Sequence, residues 1–306
     1  MNSPSFLRLA PLLLGLATVT TSCGAAEESA LVFRFSAIPD EKPTEQRARF
    51  APVASYLQEA LDVPVEYVPV NQYSASVQAF KTGDVHAAWF GGLSGVQARL
   101  AVPGASAIAQ GDVDPFFTSY LIASDASGLT PGDAFPMEAG GRRFTFGSEG
   151  STSGRLMPEH FVREATGRSP HEFFATVGFA GNHPAVIAAV QSGAFEVGAV
   201  SHSVYDRASE EERAGTFVLW RTPPFADYNL TVAGDLDERF GNGFTERLAA
   251  AWLAMPAELC QQSFSRGSMI PATNEDFAAI EATALELGLA RRRPDAARDK
   301  EATGDS

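Results

Sequence analysis

The sequence predicts an α/β protein in which mainly parallel sheets are flanked by helices. Residues 31–70 alternate strand, helix and strand at short spacing, a pattern that favours a parallel sheet with helices on both faces. Two later units, ending near residues 92 and 203, share one order of helix, glycine stop, buried strand and small-residue loop. The length of 306 residues accommodates two such domains. Ligands of such sheets bind at the carboxyl ends of strands, so the loops there are the first candidates for a site.

The composition is that of a soluble globular protein, with 45% apolar and 20% charged residues. The formal net charge of −14 argues against nucleic acid as a partner, because a phosphate backbone requires a basic surface. A small-anion site is still compatible with this charge, since backbone N–H groups and hydroxyls can build one. The sequence has no Gly-x-x-x-x-Gly-Lys, Gly-x-Ser-x-Gly or His-Glu-x-x-His motif. We expect no cofactor, no metal site and no catalytic residue.

The N-terminus predicts export. Arg8 precedes an apolar run over 9–17 and then small residues, which is typical of a secretory signal over residues 1–22 and too short for a membrane span. Cys23 after small residues is similar to a bacterial lipoprotein cleavage site, which predicts lipidation of Cys23. Thr20 stands where leucine is usual, and ordinary cleavage nearby is the alternative. Residues 23–30 are small and acidic and are expected to form a tether.

Cys260 is the second of the two cysteines. If Cys23 carries a lipid, no internal disulfide can form, and the fold depends on its buried core alone. Cys260 lies in a helix-like apolar setting, so we expect a small buried hydrophobic residue there and not a nucleophile.

In the first part of the chain, apolar periodicity and boundary residues predict the elements. Thr44 can cap a helix whose apolar face carries Phe50, Val53 and Leu57, and Gly83 can end the next helix. The loop Asp40–Lys42 lies at a strand end and can border a ligand cleft, but a solvated turn is the preferred interpretation. In chain order we expect a strand over 31–38, a helix from 44, a strand over 63–70, a helix from 73, a strand over 85–90, a helix over 93–100 and strands over 105–110 and 116–123.

The second part of the chain begins with a loop-rich segment over 125–141. Pro158 is tolerated only in a first helical turn, so a short turn is expected between the loop at 151–154 and the helix that follows. In chain order we expect a strand over 143–146, a helix over 156–165, a strand over 174–179, a helix with Pro184 at its first position, strands over 195–200, 217–221 and 228–233, a helical region from 235 and a last helix over 274–289.

The segment Gly147–Gly154 is the strongest candidate for a binding site. Its glycines allow tight turns and close approach to a ligand, and Ser151, Thr152 and Ser153 place three hydroxyls beside a predicted helix start. Free N–H groups and the positive end of the helix dipole favour an anion there. The alternative is an ordinary Ser/Thr cap on a surface helix.

Two units of the chain match when Gly83 is aligned with Gly193. Tyr73 then falls on His183 at the entrance of each helix, and the loop at Gly91 corresponds to the loop at Ser201. The match predicts two similar α/β lobes whose single cleft collects these four positions.

The same residues resemble the phosphonate-binding family of periplasmic proteins, which are solute receptors of ABC importers. The resemblance rests on three motifs and extends over about 31–289: Ser151–Gly154 with Pro158, Gly181–His183 and Ala272–Phe277. Trp89–Arg99 is similar to the branch whose members carry a selenate-binding name.

This resemblance implies a two-lobed periplasmic-binding-protein fold of type II, each lobe a mainly parallel sheet flanked by helices, with two hinge crossings near 120–124 and 219–228. The implied division is lobe 1 over 31–121 plus 225–290, lobe 2 over 122–224 and a disordered tail over 291–306. The implied ligand contacts are Ser151, Thr152, Ser153, His183, Tyr73, Phe90, Gly91 and His202.

The implied function is that of a solute-binding component which delivers a small tetrahedral oxyanion to an ABC permease and its ATPase. It implies a monomer in the periplasm, anchored to the membrane through lipid on Cys23, and no enzymatic activity. Members that bind aminoalkyl phosphonates carry carboxylates where this chain has Ser201–Ser203, so among phosphonate, phosphite and selenate- or selenite-like ligands this departure favours a compact inorganic oxyanion such as phosphite, selenate or selenite. Two alternatives remain open: a ligand-sensing subunit of a membrane signalling system, and an extracytoplasmic hydrolase using Ser153 and His183.

Overall fold

A computed structural model describes Met1, residues 31–40 and residues 43–293. The predicted signal peptide, the tether with Cys23 and most of the predicted C-terminal tail lie outside the described residues. The described chain forms two mixed sheets with helices packed on both faces. Among the described residues, we find no helix with the length and apolar character that crossing a membrane requires.

The first sheet has six strands and is built from both ends of the described chain. Its order is β11-β4-β10-β3-β1-β2. The strands are β1 (Phe33–Ala37), β2 (Val65–Tyr67), β3 (Ala87–Phe90), β4 (Ser106–Gly111), β10 (Asn229–Val232) and β11 (Met269–Pro271). The helices of this half are α1 (Pro43–Leu61), α2 (Tyr73–Thr82), α3 (Gly92–Ala101), α9 (Leu236–Phe240), α10 (Phe244–Leu253), α11 (Ala257–Phe264) and α12 (Ala278–Glu286).

The second sheet has five strands and comes from one continuous segment. Its order is β7-β6-β8-β5-β9. The strands are β5 (Ser119–Ser124), β6 (Arg143–Phe146), β7 (Thr176–Phe179), β8 (Val197–Ser201) and β9 (Thr216–Arg221). The helices of this half are α4 (Met157–Thr166), α5 (Pro170–Phe173), α6 (His183–Gln191), α7 (His202–Arg207) and α8 (Glu210–Arg213).

The two halves repeat one topology. In each sheet three strands form two parallel pairings, β2-β1-β3 in the first sheet and β7-β6-β8 in the second. An antiparallel strand comes next, β10 in the first sheet and β5 in the second, and each of these two strands directly follows a crossing along the chain. The predicted match between the two units is confirmed, because α2 begins at Tyr73 and α6 begins at His183. Both helices therefore start beside strands that occupy the same place in their sheets.

Aromatic packing fills the six-stranded half. Trp89 stacks on Trp252 with ring centroids 6.1 Å apart, and Phe264 packs edge-on against Trp89 at 4.8 Å. Cys260 lies in the same core, fully buried as predicted. In the five-stranded half, α6 covers one face of the sheet with Val186, Ile187 and Val190. Aromatic side chains of this size bury large apolar areas and account for much of the stability of each half.

Two crossings connect the halves and pair with each other. Phe117 and Phe225 exchange both backbone hydrogen bonds at 2.9 Å, and the Ser119 N–H donates to Thr222 Oγ1 at 2.9 Å. All of β5 belongs to the five-stranded sheet, so the chain leaves the first half a few residues before the first predicted crossing at 120–124. The lobe boundaries at 121/122 and 224/225 stay a prediction.

The short helices α5, α7 and α8 were not predicted, and three further departures concern larger parts of the fold. The strand expected over 116–123 is shortened because Asp114–Phe116, with Pro115, forms a 3₁₀ turn. The helical region expected from 235 is divided into α9 and α10 by Gly241 and Gly243, whose φ angles of 94° and 75° suit glycine. Strand β11 was not predicted; its three residues pair with the edge of β4.

Candidate functional site

The Ser/Thr segment after β6 forms a capped π-turn. Ser151 precedes the turn, and its Oγ accepts the Gly154 N–H at 2.9 Å. The π-turn covers Thr152–Leu156, and α4 follows with Pro158 in its first turn. The predicted short turn ahead of this helix is therefore confirmed. Single π-turns are rare and occur frequently at functional sites.

One ring nitrogen of His183 already accepts a hydrogen bond within the protein. It is the first residue of α6, and its Nδ1 accepts the Ser201 N–H at 3.2 Å. Burial lowers the pKa of His183 to about 4, so the ring is neutral at pH 7. A neutral imidazole that accepts at Nδ1 carries its proton on Nε2. Nε2 is buried and has no hydrogen-bond partner, which leaves one N–H donor unsatisfied.

His183 and the capping serine border the same glycine. A Cβ added to Gly154 would lie 3.0 Å from His183 Cε1 and 3.0 Å from Ser151 Oγ. Ser151, Thr152, Ser153 and His183 are each at most 2% exposed. The structure thus brings the predicted Ser/Thr run and the predicted histidine together in one buried place.

Tyr73 approaches this group from the six-stranded half. Its side chain is buried, and a Cβ added to Gly150 would lie 2.9 Å from Tyr73 Cβ. Beside this contact, a cleft of about 660 Å³ runs along the seam between the halves. Its lining includes Tyr73, Gly147, Gly150, Gly181 and Asn182. The helix entrances that the sequence matched, at Tyr73 and at Asn182 before His183, therefore meet at one seam.

The other predicted contacts are engaged within the protein. The Phe90 ring packs edge-on against Phe80 at 5.7 Å, and the Gly91 N–H donates to Ser94 Oγ at 3.1 Å. His202 lies beside the first crossing, with its ring 4.4 Å from that of Phe117 and its Nδ1 2.9 Å from the Thr118 carbonyl oxygen. Burial lowers the pKa of His202.

A buried carboxylate, Asp40, follows β1 in the loop for which a solvated turn was the preferred interpretation. Asp40 is 4% exposed, so its interpretation as part of a solvated turn was wrong. Its Oδ2 accepts the Tyr228 hydroxyl at 2.8 Å, and Gln46 and Arg49 approach Oδ1 at 3.3 and 3.6 Å. Burial alone would raise the pKa of Asp40, but Arg49 and the Tyr228 hydroxyl hold it below its ordinary value. Its place at the carboxyl end of a parallel strand was the available signal.

A second carboxylate, Asp227, lies in the returning crossing. Its Oδ1 accepts the Gly92 N–H at 2.9 Å, and burial raises its pKa to about 7. Nothing in the Pro-rich sequence around it distinguishes this residue as part of a site. Among the described residues, no group of three His, Cys, Asp or Glu side chains is placed to hold a metal ion.

The arrangement is suited to binding and not to nucleophilic catalysis. A general base for Ser153 needs a ring nitrogen with a free lone pair. In His183 the Nδ1 lone pair accepts the Ser201 N–H, and Nε2 carries the proton. The site can therefore donate hydrogen bonds to an anion but offers no base at His183.

Comparison with known proteins agrees with this geometry. The family of periplasmic substrate-binding proteins of phosphonate ABC transporters matches residues 35–277. A probable ABC transporter phosphite-binding protein of Prochlorococcus marinus (strain MIT 9301), PhnD1, is 37% identical over 279 residues, which cover 85% of this chain and 91% of that protein.

Solved structures show the same fold. The structure of PhnD1 from Prochlorococcus marinus in complex with methylphosphonate aligns with a TM-score of 0.79 over 84% of this chain and 98% of that chain, at 37% identity. A binding protein component of an ABC phosphonate transporter from Pseudomonas aeruginosa aligns with a TM-score of 0.72 at 18% identity, over 84% of this chain and 86% of that chain.

These matches establish the fold as that of a type II periplasmic binding protein. Members of this family bind solutes for ABC transporters and are not enzymes. The matched segment holds the Ser/Thr turn, His183 and both crossings. This chain therefore belongs to the family of periplasmic phosphonate substrate-binding proteins of ABC transporters.

Proposed function

We propose that this chain binds a small tetrahedral phosphorus oxyanion, phosphite or a simple alkylphosphonate such as methylphosphonate, between its two halves. The unpartnered, buried Nε2–H of His183 carries the proposal. An unsatisfied buried donor costs about 1–3 kcal/mol, and an anion oxygen placed against it removes that cost. One relative described above supports the choice of ligand class: PhnD1 of Prochlorococcus marinus has a phosphite-binding name, and its solved structure is a complex with methylphosphonate.

The ligand would exchange its water shell for fixed donors. The His183 ring edge and the Ser151 hydroxyl lie against Gly154, and Ser153, the residue before this glycine, is buried as well. Hydrogen bonds to a charged ligand contribute roughly 1.5–3 kcal/mol each, so a few of them support micromolar affinity. Tyr73 borders the same seam from the other half, which allows ligand binding to be coupled to the approach of the two halves.

The loop after β8 favours a ligand without an ammonium group. Ser201 Oγ and Ser203 Oγ lie 3.1 Å apart and hydrogen-bond to each other. This place offers hydroxyls and no carboxylate to pair with an aminoalkyl chain. Selenate and selenite share the size and oxygen pattern of the proposed ligands, and they belong in the same binding experiment.

The proposal includes delivery to an ABC permease and its ATPase by a monomeric receptor. Anchoring to the membrane through lipid on Cys23, and the lobe boundaries at 121/122 and 224/225, are parts of the same proposal that rest on sequence alone. Loss of methylphosphonate or phosphite uptake on gene deletion separates this role from that of a sensor subunit.

The first test measures affinity by calorimetry for phosphite, methylphosphonate, phosphate, sulfate, selenate and selenite. We expect phosphite or methylphosphonate to bind tightest. His183→Phe should weaken that binding by about tenfold or more, because it removes one charge-assisted donor. An affinity of His183→Phe equal to that of the native protein would refute the site.

His86 supplies the matched control. It is also buried, its Nδ1 also accepts a backbone N–H (Arg34, 2.9 Å), and burial also lowers its pKa to about 4. Its ring, however, packs between Phe33 and Phe240 in the core of the six-stranded half. His86→Phe should therefore change the melting temperature but leave the affinity for methylphosphonate within about twofold.

A further inference from the structure

The Asp227 carboxyl is buried among neutral hydrogen-bond donors. It is 2% exposed, and its Oδ1 accepts the Gly92 N–H at 2.9 Å. Among the described residues, the charged and titratable groups that face it are Asp114, Arg266 and Tyr228. Arg266 donates to Asp114, so its charge mainly stabilises that carboxylate. Ionisation of Asp227 is therefore costly, and burial raises its pKa to about 7.

The Thr152 hydroxyl lies beside this carboxyl. The N–H that follows Gly92 at the start of α3 is that of Leu93, and it donates to Thr152 Oγ1 at 2.9 Å. A Cβ added to Gly91 would lie 3.1 Å from both Thr152 Oγ1 and Asp227 Oδ1. Consecutive donors of one helix thus hold the two side-chain oxygens next to each other. The interaction of the Thr152 hydroxyl with Asp227 favours the ionised carboxyl.

The Thr152 hydroxyl has a single proton to donate. Its oxygen already accepts the Leu93 N–H, so the direction of that proton decides what Thr152 offers to a ligand. Beside an ionised Asp227, the proton is donated to the carboxylate and only a lone pair is left for an oxyanion. Beside a protonated Asp227, the carboxyl O–H donates to Thr152 Oγ1, and the threonine proton is available to an oxyanion.

We infer that Asp227 is a positioning residue which, in its protonated form, turns the Thr152 hydroxyl toward the bound oxyanion. The inference rests on the proposed function, and it takes Thr152 as the ligand contact that the family resemblance implies. Wherever Asp227 is ionised in the free protein, binding then takes up one proton from solvent, which stays on the carboxyl. Ligand affinity therefore falls as pH rises through the titration of Asp227.

Asp227→Asn tests this inference, because the amide keeps an oxygen for the Gly92 N–H and always offers an N–H to Thr152. Calorimetry with methylphosphonate compares the variant with native protein between pH 5.5 and pH 8. Titration of the ligand is common to both proteins and cancels in the ratio of their dissociation constants. We expect a ratio, native over variant, near one at pH 5.5 and about tenfold at pH 8, because uptake of one proton at a pKa of about 7 produces this change. A ratio that does not depend on pH would overturn the inference.

A double-mutant cycle separates positioning from direct charge repulsion. Thr152→Val removes the hydroxyl and keeps the shape of the side chain. If Asp227 acts through Thr152, Asp227→Asn should strengthen binding at pH 8 by at least about fivefold in the native background and by less than about twofold in Thr152→Val. An equal gain in both backgrounds would show that the carboxylate repels the anion directly, and the positioning role would be refuted. Thr152→Ser, which retains the hydroxyl, should keep the native pH profile.

Asp237→Asn is the matched control. Asp237 Oδ1 also accepts a backbone N–H and a threonine hydroxyl, both from Thr245 at 2.8 Å, but this carboxyl belongs to α9. Its hydrogen bonds to Thr245 and Gly243 lower the pKa of Asp237, so it is ionised over the whole tested range. The variant should show the native pH profile of methylphosphonate affinity. A loss of pH dependence as large as that of Asp227→Asn would count against a specific role of Asp227.

A second readout needs no ligand. In the ligand-free full chain, NMR of the Asp227 carboxyl carbon follows the titration of this group. Because the Thr152 hydroxyl favours the ionised form, Thr152→Val should raise the midpoint of the titration and Thr152→Ser should leave it near the native value. An unchanged midpoint in Thr152→Val would exclude the link between the two side chains. If native protein binds none of the oxyanions but the midpoint shifts as stated, the proposed function fails and this link stands.

Discussion

His183 and His86 differ in what surrounds the second ring nitrogen. Both are buried, and both accept a backbone N–H at Nδ1. The ring of His86 is enclosed by Phe33 and Phe240, whereas the ring edge of His183 lies against Gly154 in the Ser/Thr turn and leaves Nε2 unpartnered. The same residue type, with the same low pKa, is thus a core residue in one place and a candidate donor in the other.

At the residue scale, Asp227 should make stability depend on pH. Burial raises its pKa from 3.8 to about 7, so between these values the folded protein binds more protons than the unfolded chain. The free energy of unfolding therefore falls as pH rises through this window, and the loss is complete above pH 7. A rise from 3.8 to about 7 corresponds to roughly 4 kcal/mol.

Asp227→Asn should remove this dependence, because the amide keeps an oxygen for the Gly92 N–H and carries no charge. In urea denaturation at pH 8 we expect the variant to be more stable than the native protein by roughly 2–4 kcal/mol, and the difference should shrink at pH 4. Asp133→Asn, at an exposed carboxyl, is the control. A stability difference between Asp227→Asn and native protein that is the same at both pH values would contradict the prediction.

Some site residues could be predicted from the sequence and others could not. Ser151 and His183 stand in local patterns, a Ser/Thr run before a helix and an Asn-His-Pro helix start, whose chemistry depends on neighbours along the chain. Thr152 Oγ1 accepts the Leu93 N–H at 2.9 Å from a segment 59 residues away, so no local pattern predicts this partner. Asp40 was misjudged for the same reason, since Tyr228 and Arg49 reach it only in the folded chain.

At the scale of elements, the crossings are supported by one buried ion pair. Arg266, between α11 and β11, donates to Asp114 in the 3₁₀ turn before the first crossing, and both side chains are at most 3% exposed. The guanidinium also lies over the rings of Phe117 and Tyr228, at 5.6 and 5.0 Å from their centroids. It therefore touches both crossings as well as the turn.

Arg266→Met should destabilise the protein because it leaves the Asp114 carboxylate buried without its cation. Breaking a buried pair from one side costs about 3–5 kcal/mol, measurable as a lower free energy of unfolding in urea. In the double variant Arg266→Met/Asp114→Asn most of that loss should be recovered, since no buried charge remains. A double variant no more stable than Arg266→Met would show that the arginine acts through its ring contacts and not through the ion pair.

The predicted elements were correct where one apolar face determined them. Helix α6, with Val186, Ile187 and Val190 buried, begins at His183, one residue before the predicted first position. Strand β11 was missed because three residues with a proline carry no period and pair with β4 only through the fold. The division between α9 and α10 at Gly241 depends on a φ of 94°, which the continuous apolar spacing of Phe244, Leu248 and Trp252 does not reveal.

At the scale of the whole molecule, the sequence indicated two similar halves but not how they are connected. The alignment of Gly83 with Gly193 predicted two matching helix–strand units, and the sheets have matching order. It did not predict that β5 and β10 are exchanged across the crossings, because strand pairing over such distances leaves no local pattern in the chain. The family resemblance implied two crossings but not which strands they exchange.

The central position of β10 affects the order in which the two halves of an exported chain fold. β10 lies between β3 and β4 in the sheet, yet it follows both strands by more than a hundred residues in the sequence. The edges of β3 and β4 that face β10 therefore stay unpaired until residue 232 has emerged from the secretion channel. The five-stranded sheet is encoded by 119–221 without interruption and can assemble first.

The same order is expected when the complete chain refolds, because β8 pairs within one continuous segment whereas β10 must reach strands more than a hundred residues earlier. Pulse-labelling hydrogen exchange during refolding should show amide protection in β8 before β10, and simultaneous protection would contradict this order. Until the last strands arrive, the facing edges of β3 and β4 can pair with foreign strands. The interval between residue 111 and residue 229 is thus the part of biogenesis in which a periplasmic chaperone would be needed most.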